Sequence, residues 1–292
     1  MNPLKLGSAV LISGSTSGLG LNLASDLTKK GKSVVLCGRN LDALHKITEK
    51  LSESKNNDQV VLGLACDVSD ENSVSKMFEM VHDNGLHIET LVCNAGLIGP
   101  ISKFLECNRN EWRQAFNVNF YGTLNLINEV LPDMIKRKFG RIIHISGGGA
   151  SSPLYGMSSY AASKIASVRF IETLSLEYSG SGITFNSVAP GMLKTKLLDQ
   201  MLKAGPDRIG TALFDKASQK IASDVDATKK VLDLISFLMS DRADLISGKI
   251  ISAEWDNWAE WPNHVEELNG SDIYTLRRIT GRERHSTWGD IH

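Results

Sequence analysis

Tyr160 and Lys164 stand four residues apart in Ser159-Tyr160-Ala161-Ala162-Ser163-Lys164, a spacing that puts both on one face of a helix. A lone phenol, with an ordinary pKa near 10, is a poor proton-transfer group at neutral pH. A cation held ~4 Å away in a partly screened site contributes ~4 kcal/mol, enough to bring the phenol into the working range. Such a pair takes a proton from a carbinol, or gives one to a carbonyl, as a hydride moves. A Tyr–Lys pair on a helix is otherwise a surface feature, so its meaning depends on its neighbours.

The first neighbour is Ser13-Gly14-Ser15-Thr16-Ser17-Gly18-Leu19-Gly20, which follows an apolar run and leads directly into a helical pattern. Glycines let a backbone approach a pyrophosphate, and a helix start offers free N–H groups and a positive dipole end. Gly14, Ser15, Ser17, Gly18, Leu19 and Gly20 are therefore expected to touch a dinucleotide. Their spacing, G-x-x-x-G-x-G, differs from the G-x-G-x-x-G of other dinucleotide folds. The second neighbour is Val35-Leu36-Cys37-Gly38-Arg39. An acidic residue at this strand end would bind a ribose 2′-hydroxyl. Gly38 stands there instead, and Arg39 can meet a 2′-phosphate. NADP (as NADPH) is the preferred cofactor on this reading, with NAD the alternative.

These segments must be held by regular elements. Apolar, strand-like runs occupy 8–13, 33–37, 60–65, 90–93, 141–145, 184–188 and 249–252. Most are apolar throughout, as buried parallel strands are. Helical patterns lie between them at 19–30, 41–52, 71–83, 111–137, 158–178 and 226–239. The alternation implies an α/β fold: a doubly wound, Rossmann-type parallel sheet of about seven strands with helices on both faces. Residues 1–254 read as one dinucleotide-binding and catalytic domain, with a helix-rich insertion at 194–226 of the size that often forms a substrate lid. Residues 255–292 read as a C-terminal extension, marked by Trp255, Trp258 and Trp261 and by Arg277, Arg278, Arg282 and Arg284.

Over 6–252 the chain resembles the short-chain dehydrogenase/reductase family. Gly14, Gly18 and Gly20 match its cofactor glycines. Asp67, in Cys66-Asp67-Val68, matches the residue that touches the adenine, and Asn94-Ala95-Gly96 matches an internal signature. Asn119 matches the Asn that supports a water bound to the catalytic Lys, and Tyr160 and Lys164 match the catalytic pair. Pro190, Gly191 and Thr195 match the segment that binds the nicotinamide carboxamide. The resemblance implies cofactor contacts from Gly14 to Gly20, Arg39, Asp67, Val68, Asn94, Ala95, Gly96, Tyr160, Lys164, Pro190, Gly191 and Thr195. It also implies a homodimer or homotetramer packed through the helices around 111–137 and 158–178.

Two departures stand out. The family places a Ser thirteen residues before the Tyr; here that position is Gly147, in Ile145-Ser146-Gly147-Gly148-Gly149. That Ser orients the substrate oxygen, and losing such a hydrogen bond costs ~1.5–3 kcal/mol where charge develops. Ser146 is the candidate replacement, beside Ser151, Ser152 and the backbone N–H groups of the glycine run. Ser146 lies one residue off, where alternation points a side chain across the strand. The second departure is the tail, which replaces the family's Gly-rich end. It is expected to pack as structure, with capping the pocket, reaching a neighbouring subunit, or binding a phosphorylated group through Arg277, Arg278 and Arg282 as alternatives. A Gly-rich active-site segment with a Trp-bearing tail is similar to oxidoreductases of bacterial sugar and surface-polysaccharide pathways, which implies a sugar-pathway substrate.

Bulk properties set the outer bounds. Lys plus Arg number 32 and Asp plus Glu 33, a net charge of -1, so no basic field points to nucleic acid. No apolar run is long enough to span a bilayer, and no targeting pattern opens residues 1–6; a cytoplasmic protein with a small-molecule substrate is expected. Cys37, Cys66, Cys93 and Cys107 lack metal-ligand spacing and read as reduced packing residues. The leading function is NADP-dependent hydride transfer between nicotinamide and an alcohol or carbonyl. Two others stay open: a non-redox epimerase or lyase on a nucleotide sugar, and a non-catalytic dinucleotide sensor.

Overall fold

A computed structural model of the chain describes residues 7–56, 58–222 and 227–285. Seven strands, β1 (Gly7–Ser13), β2 (Val34–Gly38), β3 (Val61–Ala65), β4 (Leu86–Cys93), β5 (Gly140–Ile145), β6 (Ile183–Ala189) and β7 (Lys249–Ser252), form one sheet in the order β3-β2-β1-β4-β5-β6-β7. Every neighbouring pair is parallel. The doubly wound α/β fold expected from the strand and helix runs is the fold observed.

Side chains alternate across the sheet, and each face has its own core. Val10, Ile12, Leu36, Val92, Ile143 and Val188 point to one face. There they meet α1 (Gly18–Lys29), α2 (Leu41–Ser52) and α10 (Thr228–Leu238). Leu11, Val35, Leu91, Ile142 and Phe185 point to the other, against α3 (Glu71–Asp83), α5 (Gly122–Arg137) and α6 (Ser158–Glu177). The expected helix over 111–137 is corrected. It is two helices, α4 (Arg109–Phe116) and α5, joined by a turn of π-helix at Asn117–Tyr121. A one-residue excess in the winding leaves the apolar periodicity nearly intact, so the break is silent in the pattern.

The segment 194–222 forms three short helices, α7 (Lys196–Ala204), α8 (Pro206–Ile209) and α9 (Thr211–Ala222). Asp226, and residues 1–6 of the targeting argument, lie outside the described residues. The tail returns to the sheet. Trp261 is buried in the first core and its ring lies 4.4 Å from that of Tyr274, while Trp258 packs on Phe237 at 5.2 Å. Lys249 Nζ donates to the carbonyls of Leu268 (2.5 Å) and Ile273 (3.1 Å), and Ile250 N donates to Tyr274 O at 2.8 Å. The last strand is thereby covered along its outer edge, a common way to blunt an edge strand.

Candidate active site

The strand order reverses between β1 and β4, and a crevice opens at the carboxyl ends of the strands there, where ligands of such sheets sit. Ser13 at the end of β1 ties the two strands: its Oγ accepts from Asn94 N and Ala95 N, both at 3.0 Å. Asn94 Nδ2 returns the contact, donating to Ser13 O at 2.9 Å and Gly14 O at 3.1 Å. Gly14 takes φ +66°, and a Cβ there would come 2.8 Å from Ala95 Cα, so only glycine fits the turn. Gly18 takes φ +56° and opens α1 opposite Thr195.

A cavity of about 1000 Å³ runs along this edge of the sheet. Of the expected cofactor residues, Gly14, Ser17, Gly18, Leu19, Arg39, Asp67, Val68, Asn94, Ala95, Gly96, Tyr160, Lys164, Pro190, Gly191 and Thr195 line it. Ser15 and Gly20 do not. Ser15 faces β2, accepting from Cys37 N at 2.9 Å and donating to Cys37 O at 3.3 Å. Gly20 is needed for packing: a Cβ there would meet Asn94 Nδ2 and Gly14 O, both at 2.6 Å. Asn119 also lies behind the wall. The sequence motif marks residues that shape the turn together with those that face the ligand, and spacing alone does not separate them.

At one end of the cavity, Gly38 packs so closely on Thr16 that a Cβ would lie 2.9 Å from Thr16 Cγ2. Arg39 follows, exposed at the rim and without an ion-pair partner among the described residues. Asp67 is held by its own turn, its Oδ1 accepting from Ser69 N at 3.0 Å and Ser69 Oγ at 2.7 Å. A glycine cradle at a helix start, a cation at one end and an acid–base pair at the other suit an extended dinucleotide.

At the far end lie Tyr160 and Lys164, on the first turns of α6. Those turns are anchored by small hydroxyls. Ser159 Oγ donates to Trp112 O at 2.8 Å, Trp112 Nε1 donates to Ser158 Oγ at 3.0 Å, and Ser163 Oγ accepts from Asn119 Nδ2 at 2.8 Å. Asn119, in the π turn, is fully buried; its Oδ1 accepts from Leu97 N at 2.7 Å and its Nδ2 donates to Leu97 O at 2.9 Å. The extra residue in the winding is what turns this amide inward. Gly96 leaves space beside it, since a Cβ would sit 3.4 Å from Asn119 Oδ1 and 3.7 Å from Lys164 Nζ.

Lys164 Nζ donates to Ile145 O at 2.7 Å and lies 5.9 Å from the centre of the Tyr160 ring. This corrects the electrostatics expected from helical spacing. The ammonium is engaged with a strand carbonyl, and burial outweighs its pull. Burial pushes Tyr160 up from 10 to about 12 and brings Lys164 down from 10.5 to about 8. Below them, His144 is driven well below its usual value by burial and the Lys164 charge, and burial pushes Cys93 up to about 12. Both neighbours are neutral at pH 7, and the phenol is protonated.

Gly147 has a second role besides lacking a hydroxyl. A Cβ there would come 2.3 Å from Tyr160 Oη and 3.2 Å from its Cζ. The phenol occupies the space that a side chain at 147 would fill. Ser146 lines the cavity, and its buried Oγ has no partner. Beyond Tyr160 the wall is apolar, formed by Ile98, Leu154, Met157, Leu197, Met201 and Leu213, three of them from 194–222. Sequence reasoning missed these residues and also Thr16, Cys66, Glu254 and Trp255, all of which line the cavity. Only the amphipathic pattern of α7 hinted at the apolar wall. In the tail, Arg277 pairs with Asp272 at 3.0 Å and with Glu283, and Arg278 and Arg282 also have partners, so the phosphate-binding role considered for these arginines is not favoured. Among the described residues no group of His, Cys, Asp and Glu could hold a metal, and no helix is long and apolar enough to cross a membrane.

Comparison with known proteins agrees with this geometry. The family model for short chain dehydrogenases matches residues 8–205. The 3-oxoacyl-[acyl-carrier-protein] reductase FabG of Haemophilus influenzae is 29% identical over 247 residues, covering 83% of this chain and 94% of its own. Among solved structures, a variant of actinorhodin polyketide ketoreductase with NADPH is 26% identical with a TM-score of 0.75, covering 86% of this chain and 97% of that one. An NAD+-bound xylitol dehydrogenase shares the fold at 22% identity, with a TM-score of 0.73 over 85% of this chain and 98% of that one. The chain belongs to the short-chain dehydrogenase family, and is an oxidoreductase that acts on carbonyl and hydroxyl groups with a nicotinamide cofactor.

Proposed function

We propose that the chain is an NADPH-dependent reductase of largely apolar carbonyl compounds, with Tyr160 as the proton donor. The observation that carries this is the buried, protonated Tyr160 hydroxyl, set between the glycine cradle and the apolar wall of the same cavity. A polyhydroxylated sugar would leave its hydroxyls without partners against that wall, so an apolar ketone is the better fit than a sugar-pathway metabolite.

Gly14, Ser17, Gly18 and Leu19 would hold the pyrophosphate, Asp67 and Val68 the adenine side, and Arg39 a 2′-phosphate. Pro190, Gly191 and Thr195 would hold the ring end. NADPH, bound there, supplies the hydride. Tyr160 gives its proton to the carbonyl oxygen as the hydride reaches the carbonyl carbon. A tyrosine held protonated is in the correct state for this direction at neutral pH. Lys164 supplies the positive charge that faces the phenolate left behind, worth about 3 kcal/mol at ~6 Å with an effective dielectric of ~20. Asn119 positions the π turn and the first turns of α6, and so the height of the phenol above Gly147. Ser146, whose hydroxyl is buried and unpaired, is the donor for the substrate oxygen in place of a residue at 147.

The exposed apolar side chains Tyr121, Ile135, Ile165 and Leu176 lie on the helices expected to pack in a homodimer or homotetramer. The four free cysteines suit the cytoplasm. The function is tested by following NADPH consumption over a panel of ketones graded from aliphatic to polyhydroxylated. Turnover that increases with apolar content is expected. Turnover confined to sugars would overturn the substrate class, and none across the panel, with tight NADPH binding, would favour a sensor.

A further inference from the structure

β5, β6 and β7 end side by side. Ser146 N donates to Val188 O at 2.8 Å, and Ala253 N donates to Ala189 O at 3.0 Å. The residues leaving these strands, Ser146–Gly147, Pro190–Gly191 and Ala253–Glu254, therefore stand in a row, each about 4.8 Å from the next. The Tyr160 hydroxyl lies against the first of them. Glu254 lies against the second: a Cβ on Gly191 would come 2.8 Å from Glu254 Oε2. Both Gly191 and Glu254 line the cavity.

The exit turn of β7 sets this carboxylate. Ser252 N donates to Asp256 Oδ2 at 2.7 Å, Trp255 N donates to Ser252 Oγ at 3.2 Å, and Asp256 N donates to Ser252 O at 3.3 Å. The bend sends the Trp255 indole outward, 81% exposed, and brings Glu254 over Gly191. Gly191, at φ +71°, puts no side chain between the carboxylate and the strand end below it. Glu254 has no hydrogen-bond or ion-pair partner among the described residues. A carboxylate turned into a cavity without a counter-charge favours an occupant that is positive at that point.

We propose that Glu254 is the electrostatic partner of the nicotinamide ring in its oxidised, positively charged form. This rests on the reading that the cavity binds a nicotinamide cofactor with its ring end beside Tyr160. Hydride and proton reach adjacent atoms of one carbonyl, so the ring must lie next to the Tyr160 hydroxyl. The neighbouring strand end, Pro190–Gly191, is its floor, and Glu254 borders that floor. Loss of the hydride, with its two electrons, to the carbonyl carbon leaves one positive charge on the ring, while the Tyr160 proton goes to the carbonyl oxygen. Glu254 stabilises the state after transfer. It makes the bound reduced cofactor a stronger donor and tilts the bound equilibrium toward the reduced substrate.

The test reads binding, not turnover. Dissociation constants of NADP+, NADPH and 2′-phospho-ADP-ribose, which lacks the ring, are measured by calorimetry on the full chain, Glu254→Gln and Glu254→Ala. If NAD(H) binds more tightly, its set is used instead. The ratio of the NADP+ constant to the NADPH constant is expected to rise about tenfold in both variants, with 2′-phospho-ADP-ribose within about twofold of its starting value. A rise of less than about threefold overturns the proposal, as does a loss shared equally by all three ligands, which marks a structural role. If the unsubstituted chain binds none of the three, the cofactor reading fails first and the proposal falls with it.

Discussion

Restoring a side chain at Gly147 should damage the enzyme. The backbone there, φ -173° and ψ 170°, is extended and open to any residue, so the glycine is required for space and not for conformation. A Cβ would lie 2.3 Å from Tyr160 Oη, well inside contact distance. The phenol is only 9% exposed, and α6 beneath it is pinned by Ser159 and Ser163, so the ring has little room to yield. Overpacking of this kind costs ~1–3 kcal/mol, a fall of roughly 2–10 °C in melting temperature for a chain of this size. A hydroxyl displaced by about 1 Å costs ~100-fold in turnover. Gly147→Ala and Gly147→Ser should therefore both melt lower and turn over more slowly, measured by scanning calorimetry and steady-state NADPH consumption. Gly147→Ser is the sharper case. If 147 were only a missing hydroxyl, it would speed the reaction. A Gly147→Ser enzyme that melts as before and is as fast or faster would refute the reasoning.

Burial holds Lys164 at about 8 against an ordinary 10.5. Between these values the unfolded chain keeps a proton that the folded chain has shed, so this residue's contribution to stability rises with pH and is lost as pH falls toward 8. Denaturation of the wild type and Lys164→Met should diverge in favour of the wild type by about 2–3 kcal/mol between pH 8 and 10; a constant difference would contradict the burial argument. Tyr160, raised to about 12, acts the other way above pH 10. Arg39→Ala should weaken NADPH about tenfold and leave NADH unchanged, as loss of one charge-assisted contact requires; equal losses in a titration would remove Arg39 as the selector. Trp261→Ala should cost about 3–5 kcal/mol in urea denaturation and Trp255→Ala less than about 0.5, because one indole is 5% exposed and the other 81%. Equal costs would contradict the packed reading of the tail.

Much of this frame is legible in the residues because buried parallel strands are written as unbroken apolar runs. Val34-Val35-Leu36-Cys37 and Ile142-Ile143 show it, both fully interior. β4 begins earlier than its apolar run, at Leu86, because His87 and Glu89 face a half-open surface at its start and break the run. The glycine turn and the Tyr–Lys pair are legible for another reason: each demands a residue type that few substitutes can supply. The sense of the Tyr160 pKa was not legible, because it depends on burial and on Lys164 choosing Ile145 O, neither of which spacing encodes. The closeness of Gly147 to Tyr160, and of Gly191 to Glu254, joins residues far apart in the chain. An absent side chain leaves no mark of what fills its place.

The central claim is that Tyr160 is the proton donor in a hydride transfer between cofactor and a carbonyl. Single-turnover stopped-flow with pre-bound NADPH and an accepted ketone measures this step in the wild type and Tyr160→Phe, with cofactor binding followed by fluorescence in the same samples. Loss of the general acid should slow transfer ~10²–10⁴-fold, with NADPH affinity little changed. Transfer at the wild-type rate in Tyr160→Phe, with cofactor bound, would contradict the account.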